Sequence, residues 1–109
     1  MLTGRLTDRV PDDAEEFHEL AAFAGLRVEH IVSSARPDPS EQLQDWDEWV
    51  LVLRGSARLE VAGEGVDLVA RDWIVLPAGT PHRVVRTDAG THWVAVHGPR
   101  QSPPRIAGA

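Results

Sequence analysis

The stretch Leu43–Gly55, LQDWDEWVLVLRG, decides how this chain is read. Three acids (Asp45, Asp47, Glu48) and two tryptophans (Trp46, Trp49) share five consecutive residues, and an apolar run follows without a break. Alternate side chains of a strand lie on one face. With Glu48 inward, Gln42, Gln44, Trp46, Val50 and Val52 point inward too, and Trp49, Leu51 and Leu53 form the outer row. That outer row is as apolar as the inner one, and a strand apolar on both faces has to be covered on both. A helix can cover part of it. A second copy of the chain can cover the rest, so a homodimer is expected.

From Leu26 onward the same period of two recurs. LRVEHIVSS alternates as a strand, ARPDPSEQ reads as a loop at Pro37 and Pro39, and WVLVLRG, ARLEVAG, GVDLVA, WIVLPAG, PHRVVR and HWVAVHG follow between Gly, Asp and Pro turns. Seven short strands with almost no room for crossovers predict an all-β antiparallel sandwich or barrel. Gly63-Glu64-Gly65 reads as a hairpin turn, not a phosphate loop, since no helix or basic residue follows it. Upstream, Pro11–Phe23 predicts one short helix: Asp12 or Asp13 caps it, Phe17, Leu20 and Ala21 form its apolar stripe, and Gly25 stops it. The expected organisation is an N-terminal segment with that helix over 1–25, a barrel over 26–98 and a disordered tail over 99–109.

The whole chain narrows the function. Its 109 residues suit one domain. A net charge of −6 offers no basic face for phosphates or anionic membranes, so neither a nucleic-acid nor a membrane partner is expected. With no cysteine, disulfides and thiol chemistry are out, and any metal site must use His, carboxylate or amide donors. The first ten residues, MLTGRLTDRV, lack the apolar core of a signal peptide, and no apolar run approaches a membrane span. A cytoplasmic protein is the expectation.

Glu48, six residues, Gly55, and later Pro77-Ala78-Gly79-Thr80-Pro81-His82, resemble the two short motifs of the cupin superfamily, G(X)5HXH(X)3–4E(X)6G and G(X)5PXG(X)2H(X)3N. The resemblance spans roughly Val28 to His97. It is similar in layout to small single-domain bacterial, RmlC-like cupins, and it implies a jelly-roll β-barrel. In typical members two His, a Glu and a later His hold one divalent ion. Here the two His positions are Gln42 and Gln44, the motif glycines are Arg36 and Arg71, and the terminal Asn is Arg86, while Glu48, Gly55, Pro77, Gly79 and His82 match.

The resemblance therefore implies a metal set of Glu48 and His82, weakened by Gln44 and Gln42, whose neutral oxygens suit hard ions better than imidazole-loving ones. His97 shares a face with Trp93 and Ala95 and offers a third strong donor if that face is inward. A divalent cation (Mn, Fe, Zn, Ni or Mg) is the cofactor this implies, with dioxygenation, isomerisation, lyase or cyclase chemistry on a small organic molecule as candidates. The alternative is a metal-free barrel that binds a small polar or anionic molecule without catalysis. In that reading Trp46 and Trp73 are walls and Arg86, four residues after His82, anchors the ligand and neutralises Glu48. Asp45 and Asp47 are expected to face water, His18 to sit solvated on the helix, and His30 and His92 to be ordinary strand residues.

Overall fold

The computed structural model describes residues 1–99 and shows eight strands and no helix among them. They are β1 (Glu15–Phe23), β2 (Leu26–Ser33), β3 (Glu48–Arg54), β4 (Ser56–Val61), β5 (Glu64–Val69), β6 (Trp73–Leu76), β7 (His82–Thr87) and β8 (Thr91–His97). All pair antiparallel in two sheets, β1-β2-β8-β3-β6 and β5-β4-β7: the antiparallel sandwich expected from the seven downstream strands and the jelly roll that the cupin resemblance implies. The core between them is Val50, Val52, Ala57, Leu59, Leu68, Leu76, Trp93 and Ala95. No helix of the described residues is long and apolar enough to cross a membrane.

The helix expected over Pro11–Phe23 is an edge strand instead. Residues 15–23 pair along all of β2, from Glu15↔Ser33 to Phe23↔Leu26, with a bulge between Glu19 and Ala21. Phe17 and Leu20 are the very residues that made a helical stripe, but an open β2 edge offers a full ladder of backbone hydrogen bonds, and that outweighs a weak local propensity. Gly25 is not a helix stop. Ala24 and Gly25, at φ 54° and 76°, are the two central residues of a hairpin loop with the positive dihedrals of a type I′ turn. Ala62-Gly63, at φ 49° and 81°, closes the β4–β5 hairpin the same way, one residue earlier than the expected Gly63-Glu64-Gly65. The sheet thus begins at Glu15, within the N-terminal segment of residues 1–25, and the expected tail lies from residue 100 onward outside the described residues.

Strand β3 has the inward face expected of it: Glu48, Val50 and Val52 are buried. On its outer face two rows of register partners cross the sheet, Val28–Val96–Trp49–Val75 and His30–Val94–Leu51–Trp73. The N-terminal segment passes over one end of this face. Asp8 reaches Arg54 at 3.6 Å, and Val10 stands at ordinary contact distance from where a side chain on Gly90 would be.

At that end lies a buried histidine pair. His30 and His92, expected to be ordinary strand residues, are 0% and 4% exposed. Their rings stack, with His18 stacked on the far side of His30, and His30 Nε2 meets His92 Nδ1 at 2.9 Å. His18 is therefore a strand residue at the end of this stack rather than a solvated helical one; its Nε2 lies 3.0 Å from Glu16 Oε1. Arg54, which can only donate, points Nη2 at His92 Nε2 at 2.9 Å. His92 therefore carries its proton on Nδ1 and donates to His30 Nε2, leaving the His30 proton on Nδ1, which is buried without a partner among the described residues. Burial lowers the pKa of both rings; the neighbouring His92 and His18 add to this at His30, and Arg54 at His92, against a weaker opposing pull from Asp8.

Candidate functional site

A cavity of about 500 Å³ opens between the sheets, and Gln42, Gln44, Glu48, His82 and His97 all line it. Each reaches it for a local reason. Glu48 is the first residue of β3, 8% exposed, and its register partner on β8 is His97. The face carrying Trp93, Ala95 and His97 is inward: Trp93 and Ala95 are core residues, and Trp93 Nε1 donates to Ser33 Oγ at 3.0 Å. His82 begins β7 and is fixed by two backbone hydrogen bonds to Gln42. The preceding Pro77-Ala78-Gly79-Thr80 is a tight turn. Thr80 N–H bonds Pro77 C=O at 3.1 Å, and Gly79 stands at φ 79°, where a type II turn requires glycine. Asp47 does not merely face water, for its Oδ1 accepts the Ala78 N–H at 2.9 Å and pins this turn.

The hydrogen bonds decide what these groups can ligate. Trp46 Nε1–H donates to His97 Nδ1 at 2.9 Å, so that nitrogen is the acceptor and Nε2 carries the proton. His97 Nε2–H then meets Glu29 Oε1 at 3.0 Å. Both ring nitrogens are engaged. Gln44 Nε2 donates to Glu48 Oε1 at 2.7 Å, and the Gln42 amide turns to Ser40 C=O at 3.4 Å. His82 Nδ1 donates to Thr80 C=O at 3.0 Å, which leaves Nε2 as its lone-pair nitrogen. Glu48 and His82 are therefore the only two of the five with a strong donor atom still free. Among the described residues no three His, Cys, Asp or Glu side chains gather as a metal site would need. Two strong donors fall short of the three His or carboxylate ligands of a mononuclear transition-metal site, and the neutral amide oxygens of Gln42 and Gln44 are poor substitutes, so the donor set does not fit a tightly held resident transition-metal ion.

Three residues expected to shape the pocket stand elsewhere. Trp73 lies on the outer face of the five-stranded sheet, 45% exposed, its ring 6.4 Å from that of Trp49. Trp46 lines a separate shallow depression with Leu26 and Arg27, behind His97. Arg86 faces solvent and reaches Asp88. Counting four residues from His82 fails because the β4–β7 register slips at Val85: Leu59 pairs with Val84 but Arg58 with Arg86. The extra residue flips every later side chain to the opposite face.

The structure also adds acids that the sequence reading missed. Glu15, Glu29 and Asp38 join Glu48 on the cavity wall, and the one arginine there among the described residues, Arg83, is paired with Glu60 at 3.1 Å. Glu29 was within reach of strand parity, since it alternates with Ile31 and Ser33 on β2, which also line the cavity. Glu15 was hidden by the helical reading of β1.

The family model of the cupin domain matches residues 30–97. A protein from Ralstonia eutropha JMP134 named "putative mannose-6-phosphate isomerase" is 36% identical, with 91% of this chain and 99% of that one covered, at a TM-score of 0.78. KdgF from Halomonas sp. (19% identity, 82% of each chain, TM-score 0.73) and an RmlC-like cupin from Shewanella frigidimarina NCIMB 400 (15%, 87% and 86%, 0.72) share the fold. No curated protein sequence gives a significant match.

Proposed function

The chain belongs to the cupin domain family, and from that premise we propose that its barrel binds a small polar organic molecule without a resident metal ion. The observation that carries this reading is the double engagement of His97, between the Trp46 indole and Glu29. The imidazole that could have completed a metal set instead holds Glu29 at the cavity wall and lies 3.9 Å from Glu48 Oε1. The cavity is of ordinary ligand size, with an apolar wall and a few fixed polar groups.

The name of the Ralstonia relative points to a sugar phosphate. A phosphate brought into this cavity meets four carboxylates and an arginine already paired with Glu60, so mannose 6-phosphate is expected not to bind. Elemental analysis of protein purified without a metal-affinity tag, before and after incubation with Mn, Fe, Zn, Ni and Mg salts, tests the metal side. Less than a tenth of an equivalent is expected. A full equivalent that His82→Ala releases would sink the reading.

The outer face of the five-stranded sheet supports self-association, and a homodimer is the proposed state. Trp49, Leu51, Val94 and Val96 are only half-buried there, with Trp73 and Leu53 exposed beside them. A contiguous apolar patch of this kind is uncommon on a monomer. Sedimentation equilibrium at tens of micromolar is expected to give twice the chain mass, and Trp73→Glu to give the monomer. A wild-type monomer under those conditions removes the proposal.

A further inference from the structure

The acids of the cavity form two poles. At one, Glu29 and Glu48 flank the imidazole of His97, at 3.0 Å from Nε2 and 3.9 Å from Nδ1. At the other, Asp38 N–H meets Glu15 Oε2 at 3.4 Å, and Asp38 in turn is hydrogen-bonded by Ser40. Glu15 pairs with Ser33, four residues beyond Glu29 on β2, so the poles stand about 13 Å apart along the sheet. The wall between them is apolar: Phe17 and its register partner Ile31, and then Trp93, the partner of Ile31 on β8.

None of the four carboxylates has an arginine partner among the described residues; their donors are His97, Gln44, Ser40 and backbone N–H groups. The imbalance is sharpest at Glu15. Its Oε1 is fully buried with no hydrogen-bond partner among the described residues, and burial pushes this carboxyl above its ordinary value. A buried carboxylate oxygen without a donor is costly, and a cationic N–H is what relieves it. At the opposite pole Glu48 is nine-tenths buried on the same cavity.

We infer that the cavity binds a linear aliphatic diamine or polyamine, one ammonium group at each acidic pole and the hydrocarbon chain along Phe17, Ile31 and Trp93. This rests on the reading of the cavity as a metal-independent binding site and names its ligand class. Two separated anionic ends joined by an apolar wall match two cations joined by methylenes. A neutral diol cannot neutralise the poles, and a diacid is repelled by them.

Calorimetry on the full chain with 1,6-diaminohexane, hexylamine, 1,6-hexanediol and adipate tests it. The diamine is expected to bind at one site at least ten-fold more tightly than hexylamine, with no saturable binding of diol or diacid. Glu15→Gln and Glu29→Gln should each bring the diamine down to the level of hexylamine. Leu59→Trp, which fills the cavity at unchanged charge, should abolish binding; Val84→Trp serves if that variant misfolds. Diamine binding that survives the filled cavity is surface association with an acidic protein and overturns the inference, as does its absence from the wild type. Saturable binding of the diol or adipate that the filled cavity abolishes overturns the amine class but leaves the metal-free site standing, whereas a stoichiometric metal sinks both.

Discussion

Gly55→Ala is expected to cost about 3–5 kcal/mol of unfolding free energy and to lower the melting temperature by roughly 15–25 °C. Gly55 is the single residue between β3 and β4, the corner where the chain leaves one sheet for the other. Its φ is +94°, a region that costs an L-residue about 1–3 kcal/mol. A Cβ there would lie 2.4 Å from Thr91 Oγ1 and 2.8 Å from Thr91 Cα. Backbone cannot rotate out of the way as a side chain can. Thr91 is fully buried, and its one hydroxyl proton is shared between Asp88 C=O at 2.8 Å and Ser56 C=O at 3.0 Å, so moving it disturbs the corner on both sheets. Urea unfolding of Gly55→Ala beside Gly4→Ala, whose Cβ would meet nothing within 4 Å, isolates the effect. A loss below 1 kcal/mol would show that β3 and β4 are not packed against Thr91 in this way.

This glycine also shows which parts of the molecule were legible in the chain. Gly55, Pro77, Gly79 and His82 are short-range necessities of a corner, a tight turn and a strand start, and such needs leave residue-type signatures at fixed spacing. Parity alone gave which side chains of β3 share a face with Glu48, and that His97 shares one with Trp93 and Ala95; which of the two faces is inward needed the packed sheets. The failures share one cause, which is that they depend on partners distant in sequence. Phe17 and Leu20 fit a helix until the open edge of β2 is known. Arg86 follows His82 by an even count until the partner strand forces a bulge at Val85. His97 looked like a spare metal ligand because nothing near it in the chain reveals that Trp46 and Glu29, 51 and 68 residues away, occupy its two nitrogens. The acidic character of the cavity was missed for the same reason, since Glu15, Glu29 and Asp38 lie on three different segments.

Between pH 7 and pH 5 the protein is expected to lose stability steeply, through His30 and His92. Both rings have folded pKa values below the ordinary 6.5, chiefly from burial. The sign follows from proton counting. Below pH 6.5 the unfolded chain binds protons that the folded chain refuses, so acid favours unfolding. Above about pH 7 neither state is protonated and the curve is flat. The limiting slope is about 1.4 kcal/mol per pH unit for each ring, so about 2.7 for the pair. Structure gives the reason the folded rings resist. The 2.9 Å contact works only as one N–H facing one lone pair, and a second proton on His30 Nε2 would set two N–H groups against each other beside the Arg54 guanidinium. Glu16 and Asp38 have lowered values and lose their contribution only below about pH 4.5, while Glu15, raised by burial, takes up a proton in the folded state first and offsets part of the loss at the acid end of the window. Urea denaturation at half-unit steps from pH 8 to 5 measures the slope. In His30→Gln/His92→Gln the slope of that window is expected to fall well below that of the wild type, even if the variant starts from a lower stability. A wild type whose stability does not change over those three units, or a double variant as acid-sensitive as the wild type, would mean that the His30–His92 pair is not held in its neutral form.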